Sequence, residues 1–395
     1  MWLAGQTASE EPLTVTGTAS GRRGFRLRRA ALCMTIGTAL AAATAACGTA
    51  AQAGPAGRTA VSAQPETISE AGSSLLYPLM GTWASAYQRQ TPGVTVKTTS
   101  TSSGKGIAAA SAGSVDLGAS DAYLSSGDVV KTPALVNIPL AIAAQTVIYN
   151  LPDMSPSEHV KLDAAVLAGI YEGTITTWDD PHIAAINPRL NLPDTKIVPV
   201  YRADMSGDTF LFTSYLSTGS QSAPATQWNS KVGYGTTVAW PHVPGALSET
   251  GSLNVLHSCE STPGCVAYNG ISYLSQALTA GLGEAELENY VGQYTLPSAT
   301  AIQDSVSSFV SLTPPNETIS LIDGPSPTGY PIVNYEYAVV STRQPTAAKA
   351  SALRAFLNWV ITTGNQASYL SPMGFQPLPG ALVTLGEQQI AEIGS

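Results

Sequence analysis

From residue 67 onward, apolar positions alternate between a spacing of two and a spacing of three or four, the marks of strands and helices respectively. Residues 68–90, ISEAGSSLLYPLMGTWASAYQRQ, predict a short strand, a Gly-Ser turn and a helix with Leu76, Met80, Trp83 and Tyr87 on one face. Strands follow at VTVKTTS, VDLGASD, LVNIPLAIAAQTVIYN, KIVPVYRAD and PIVNYEYAVVST. Helices are expected at GIAAASAG, VKLDAAVLAGIYEG, PHIAAI and TAAKASALRAFLNWVITT. Strand–helix alternation of this kind predicts α/β domains with largely parallel sheets. In such folds polar motifs fall where strands end and helices begin, and ligands bind there.

The segment before residue 67 has no such period. GRRGFRLRR, residues 21–29, precedes the apolar run AALCMTIGTALAAATAAC, which ends at Cys47. A basic stretch, a short apolar stretch and small residues form an export signal, expected over residues 1–47. Ala45-Ala46-Cys47-Gly48 resembles the end of a bacterial lipobox, which makes Cys47 the expected lipidation site, although Thr44 stands where Leu is usual. Residues 48–66 are rich in Ala, Gly and Pro and read as a tether between anchor and domain.

Charge and cysteine usage narrow the function. The 395-residue chain carries 18 basic and 27 acidic side chains. Without residues 1–47 the balance is 13 to 25, a net charge of −12. No basic footprint for nucleic acid exists. A site for one small anion is still allowed, because it depends on local donors. Cys259 and Cys265 flank a Pro-Gly turn in HSCESTPGCVAY and read as a disulfide in an exported protein. His257 has no second Cys/His pair for a metal site.

Four strand-to-helix corners carry the candidate chemistry: Gly72-Ser73-Ser74-Leu75, Thr101–Gly106, Gly118–Asp121 and Arg202–Thr209. They supply hydroxyls, backbone amides and small residues at helix starts, which suits an oxyanion. Each corner taken singly reads equally as an ordinary N-cap. The second lacks the Walker spacing and the Ser/Thr after its Lys. A hydrolase is disfavoured by the absence of a GxSxG elbow and by four histidines lying outside the corners. Two further functions compete: a binding protein for sulfate or molybdate, and a purely structural surface protein.

Together, GSSLLYP, SSGKGIAAASAGSVDLGASDAYLS, TWDDPHIAAINP, RADMSGDTFLFTSYLS, IDGPSPTGYPIVNYEYAVV and FQPLP resemble the phosphate-binding subunit of bacterial phosphate ABC transporters. CESTPGC resembles its actinobacterial lipoprotein form. The resemblance implies a type II periplasmic-binding-protein fold. Residues 67–143 and 332–395 would form lobe I and residues 144–331 lobe II, with a hinge near 141–146 and 328–334. It implies inorganic phosphate held by Ser73, Ser74, the Leu75 amide, Ser103, Asp121, Arg202, Ser206, Gly207 and Asp208, with Asp204 supporting Arg202. It further implies membrane permease and ATPase partners, a lipid anchor on the outer face of the membrane, and neither cofactor, metal nor enzymatic activity. Asp121 would accept a phosphate O–H that sulfate lacks. Asp208 stands where the enterobacterial pattern has Thr, so a second acid in the site would favour the monoanion.

Overall fold

The protein is described from a computed structural model covering residues 65–155, 157–219 and 228–395. The export signal, Cys47 and nearly all of the expected tether lie outside these residues. Twelve strands are described: β1 (Glu66–Gly72), β2 (Val94–Lys97), β3 (Leu117–Ser120), β4 (Leu135–Tyr149), β5 (Lys161–Leu162), β6 (Val198–Arg202), β7 (Leu247–Glu249), β8 (Cys265–Gly270), β9 (Gly283–Glu284), β10 (Glu286–Glu288), β11 (Tyr294–Thr295) and β12 (Val333–Ser341). β1 starts at Glu66, the last residue assigned to the tether from sequence.

The main sheet runs β2-β1-β3-β12-β4-β8-β6-β7. Its organising element is β4, a 15-residue strand buried along all but one position. Such a continuous apolar run is expected where both faces are covered. Leu135 to Ala144 pair with β12, and Gln145 to Tyr149 pair with β8. One strand therefore belongs to two sheets, and the register passes from one to the other between Ala144 and Gln145. The first of these sheets holds β2, β1, β3 and β12 and the second holds β8, β6 and β7, while a separate three-stranded sheet, β11-β10-β5, lies apart.

The largely parallel sheet read from sequence is corrected. β1, β2 and β3 are parallel, as are β6, β7 and β8, but β12 runs antiparallel to β3 and β4, and β4 antiparallel to β8. The cause is the double crossing: β4 leaves the first sheet for the second and β12 returns, so they run oppositely. A second difference is local. Within VKLDAAVLAGIYEG, Lys161 and Leu162 form β5, and the helix starts only at Ala164. Asp163 sets that boundary by accepting the Val166 N–H at 2.7 Å.

Helices cover the first sheet as their patterns require. In Tyr77–Gln90 the residues Leu79, Met80, Trp83 and Tyr87 are buried. Ala347–Ile361 is capped by Thr346, whose hydroxyl accepts the Lys349 N–H at 3.1 Å, and buries Leu353, Phe356, Leu357 and Val360. Tyr87 meets Phe356 edge to face at 5.2 Å between the two helices. Near the second sheet, Cys259 and Cys265 form a disulfide with Cα atoms 5.3 Å apart. Both are fully buried with Val200, Val255 and Leu256. The bridge ties the end of the helix Ser252–Glu260 to the start of β8. Among the described residues no helix is long and apolar enough to cross a membrane.

Candidate functional site

The polar corners of both sheets converge on one buried cluster. At the first, Ser73 follows β1 and its hydroxyl donates to Asp121 Oδ1 while accepting the Leu76 N–H at 3.0 Å. Ser73 thus both closes the turn ahead of the helix and bonds the Asp121 carboxyl. At the second, Ser103 opens the helix Ser103–Ser111 and donates to Asp121 Oδ2 at 3.2 Å. Its oxygen also lies 3.2 Å from the Asp121 N–H, which donates to it. Asp121 follows β3 and is 2% exposed. Burial pushes its carboxyl above the usual range, opposed by Glu336, Ser73, Arg202 and Ser103.

The fourth corner brings the cation. Arg202 ends β6 with only 1% of its side chain exposed. Asp204 accepts from Nε at 2.7 Å and from Nη2 at 2.5 Å, a two-pronged bond that fixes the guanidinium plane. Nη1 donates to Asp208 Oδ2 and, at 3.2 Å, to Ser252. Burial alone would lower the Arg202 pKa, yet its bonds to Asp204 and the charges of both acids hold it above its ordinary value. Burial raises Asp208 to about 7 despite Arg202. Asp208 Oδ1 and the Ser206 hydroxyl are buried with no hydrogen-bond partner.

Sequence reasoning misses Ser252. This residue opens the helix Ser252–Glu260 immediately after β7, so it is a fifth strand-to-helix corner, and its Thr250-Gly251-Ser252 repeats the Gly-Ser signal of the first. Its hydroxyl donates to Asp208 Oδ2 at 2.8 Å and lies 2.7 Å from Ser74 Oγ, which accepts the Ser252 N–H at 3.1 Å. Glu336 in β12 is missed too. Its signal is an acid in the middle of the apolar run NYEYAVV, and it is 0% exposed.

The other expected residues are placed as follows. Ser74 and Leu75 face the second sheet: the Ser74 carbonyl accepts from Tyr273 at 3.1 Å and the Leu75 carbonyl from Ser272 at 2.7 Å. Leu75 is fully buried against Gly270. Gly207 starts the helix Gly207–Gly219, and a Cβ there would lie 2.4 Å from Asp121 Oδ2 and 2.5 Å from Ser103 Oγ. Only glycine permits that approach. The Gly104 N–H donates to the Met205 carbonyl at 2.9 Å, joining the second and fourth corners through backbone. Lys105 is exposed. Four helix starts therefore meet around one guanidinium and the buried carboxylates of Asp121 and Asp208. Their dipoles favour a bound anion. Gly207→Ala is expected to keep the fold and weaken anion binding by more than about tenfold, because the methyl wedges the corners apart; circular dichroism and titration calorimetry would check both parts.

A shared strand, two sheets and a buried polar cluster between their loops define the class: a two-lobe binding protein. A family model described as the PBP superfamily domain matches residues 49–363. A phosphate-binding protein PstS of Methanocaldococcus jannaschii is 34% identical over 328 residues, covering 77% of this chain and 80% of the relative. Phosphate-binding protein PstS3 of Mycobacterium bovis is 29% identical, covering 80% of this chain and 83% of the relative. Among solved structures, a high-affinity periplasmic phosphate-binding protein bound with phosphate (PfluDING) superposes with a TM-score of 0.63 at 20% identity, covering 83% of this chain and 99% of the other. The chain belongs to the PstS phosphate-binding protein family within the PBP superfamily.

Proposed function

We propose that this chain captures inorganic phosphate between its two lobes and delivers it to an ABC-type importer. The observation that carries this reading is the pairing of a buried carboxylate, Asp121, with a buried guanidinium, Arg202, amid serine hydroxyls and helix N-termini. A carboxylate in an anion site requires a ligand that is an oxyanion and also carries an O–H. Phosphate near neutral pH is such a ligand, and sulfate is not. Ser206, the Leu75 and Gly207 amides and Arg202 donate to the ligand, Asp121 accepts from it while held by the Ser73 and Ser103 hydroxyls, and Asp204 holds Arg202. Ser74 and Ser252 link the two sides, and Asp208 is a second acid beside the ligand.

Residues 67–143 with 332–395 would act as lobe I and residues 144–331 as lobe II, bending at the Ala144–Gln145 transition of β4 and ahead of β12. Export and lipidation at Cys47 would hold the protein on the outer face of the membrane beside the permease and ATPase subunits. The reading is of a receptor and not an enzyme, the role that the names of the phosphate-binding relatives support. The test is calorimetric titration of the purified chain, freed of ligand, with phosphate and then sulfate. One-to-one phosphate binding without sulfate heat is expected. Comparable sulfate binding would overturn the assignment of Asp121, and binding of neither would overturn the function.

The pH dependence has a definite sign. With Asp208 raised to about 7, its carboxyl is neutral below that pH and an anion above it. The added charge offsets Arg202 and repels the ligand. Phosphate affinity is therefore expected to fall about three- to tenfold as pH rises from about 6 to about 8.5, and Asp208→Thr to flatten the profile. A wild-type affinity constant across that span would show that Asp208 does not change charge beside the ligand.

A further inference from the structure

Buried chemistry outside the expected ligand set lies on β12. We infer that Glu336 is a proton-holding partner of Asp121: the two buried carboxyl groups share one proton, carried by Glu336, so that Asp121 remains an ionised acceptor for the ligand O–H. This deepens the phosphate reading and rests on it for the ligand.

The geometry starts from strand register. β12 pairs antiparallel with β3, placing Tyr337 opposite Ser120. Glu336 precedes Tyr337 and Asp121 follows Ser120, so the two acids are brought side by side where β3 ends. Asn334 ties them together, its amide donating to Glu336 Oε1 at 2.7 Å and to the Asp121 backbone carbonyl at 3.3 Å. The two carboxyl groups lie within hydrogen-bond reach of each other. Glu336 Oε2 is buried and receives no hydrogen bond from any donor among the described residues. Two ionised carboxylates in contact in a dry site are prohibitive, so the pair holds a proton.

Which acid holds it follows from the surroundings. Asp121 receives hydroxyl donors from Ser73 and Ser103 and faces the positive charge of Arg202. Glu336 receives one amide from its own strand, while Asp121 and Asp208 face it from two other elements. Donors and a cation stabilise the Asp121 anion, and two acids disfavour a Glu336 anion. Burial, then the charge of Asp121, pushes Glu336 well above the usual carboxylate range. The proton on Glu336 thus donates to Asp121. A carboxylate has about four lone-pair directions. Ser73, Ser103 and Glu336 occupy three of them, leaving one for the ligand's O–H. Glu336 is a positioning residue: it removes one negative charge from the site and aims the acceptor.

The test is infrared difference spectroscopy of the phosphate-free protein against Glu336→Gln, with phosphate titrations alongside. The amide of Gln donates permanently and replaces the proposed O–H. Loss of a protonated-carboxyl band at neutral and mildly alkaline pH is expected in the variant, with phosphate affinity kept within about threefold. Glu336→Ala, which removes the donor, is expected to lose at least about tenfold, the scale of one charge-assisted bond. No difference in the carboxyl band would overturn the proposal whether or not phosphate binds. Equal losses in Gln and Ala variants would overturn it in favour of simple packing. A band loss in a protein that binds no phosphate would leave the proton assignment intact and sink the ligand reading instead.

Discussion

Asp121→Asn is expected to collapse the discrimination between phosphate and sulfate more than it weakens phosphate binding. The asparagine carbonyl still accepts an O–H, but as a neutral acceptor, and charge-assisted bonds are roughly twice as strong as neutral ones. Phosphate affinity should fall about tenfold, the equivalent of about 1.4 kcal/mol. Sulfate gains from the same change. It no longer faces like charge, and the Asn amide can donate to it. A site that pairs a ligand hydroxyl rejects analogues lacking it by about 10⁴-fold or more, and the variant ratio should drop below about 100. Calorimetry with both anions on both proteins measures this directly. An unchanged ratio would show that discrimination lies in the size and closure of the site.

Arg202→Met is expected to have the largest effect on binding and a measurable effect on stability. The guanidinium holds Asp204 by two bonds and Asp208 and Ser252 by one nitrogen, and all of its side chain but 1% is buried. Removing one partner of a buried ion pair leaves the other uncompensated, at about 3–5 kcal/mol. Part of that cost is relieved because Asp208, already raised to about 7, takes up a proton. Stability should therefore fall by about 3 kcal/mol at alkaline pH and by less at acidic pH, seen as an unfolding midpoint that recovers as pH is lowered. Phosphate binding should weaken by about 10²-fold, since the guanidinium charge and its one remaining N–H donor, on Nη2, are lost. Arg202→Lys keeps the charge but not the planar fork, and should recover only part of the binding.

Much of the site is legible in the sequence, and the parts that are not have identifiable causes. Ser73, Ser103, Asp121 and Arg202 are visible because strand ends and helix starts leave local signals in Ser, Gly and Asp. The same signal is present at Ser252 but is weak there, since its strand, Leu247–Glu249, is only three residues long. Glu336 cannot be read as a neighbour of Asp121, because their proximity is set by pairing between β3 and β12. The direction of β4 and β12 is illegible for the same reason: periodicity reports which face is buried, not which strand lies alongside. Asp208 is legible as a residue, but its bond to Arg202 Nη1 requires the fold.

The shared strand also governs the order in which the molecule can be completed. β3 has β12 as a sheet neighbour, and Ile142 in β4 exchanges backbone hydrogen bonds with Gln376. A chain emerging from its N-terminus cannot finish the first sheet until residue 341 is free. The second sheet has its strands between residues 145 and 270 and can pair earlier. The closing step of folding is then the docking of β12 between β3 and β4, a contact of very long sequence separation and correspondingly slow to form. That same step carries Glu336 to Asp121, so the acceptor acquires its proton-holding partner only when the last strand is in place.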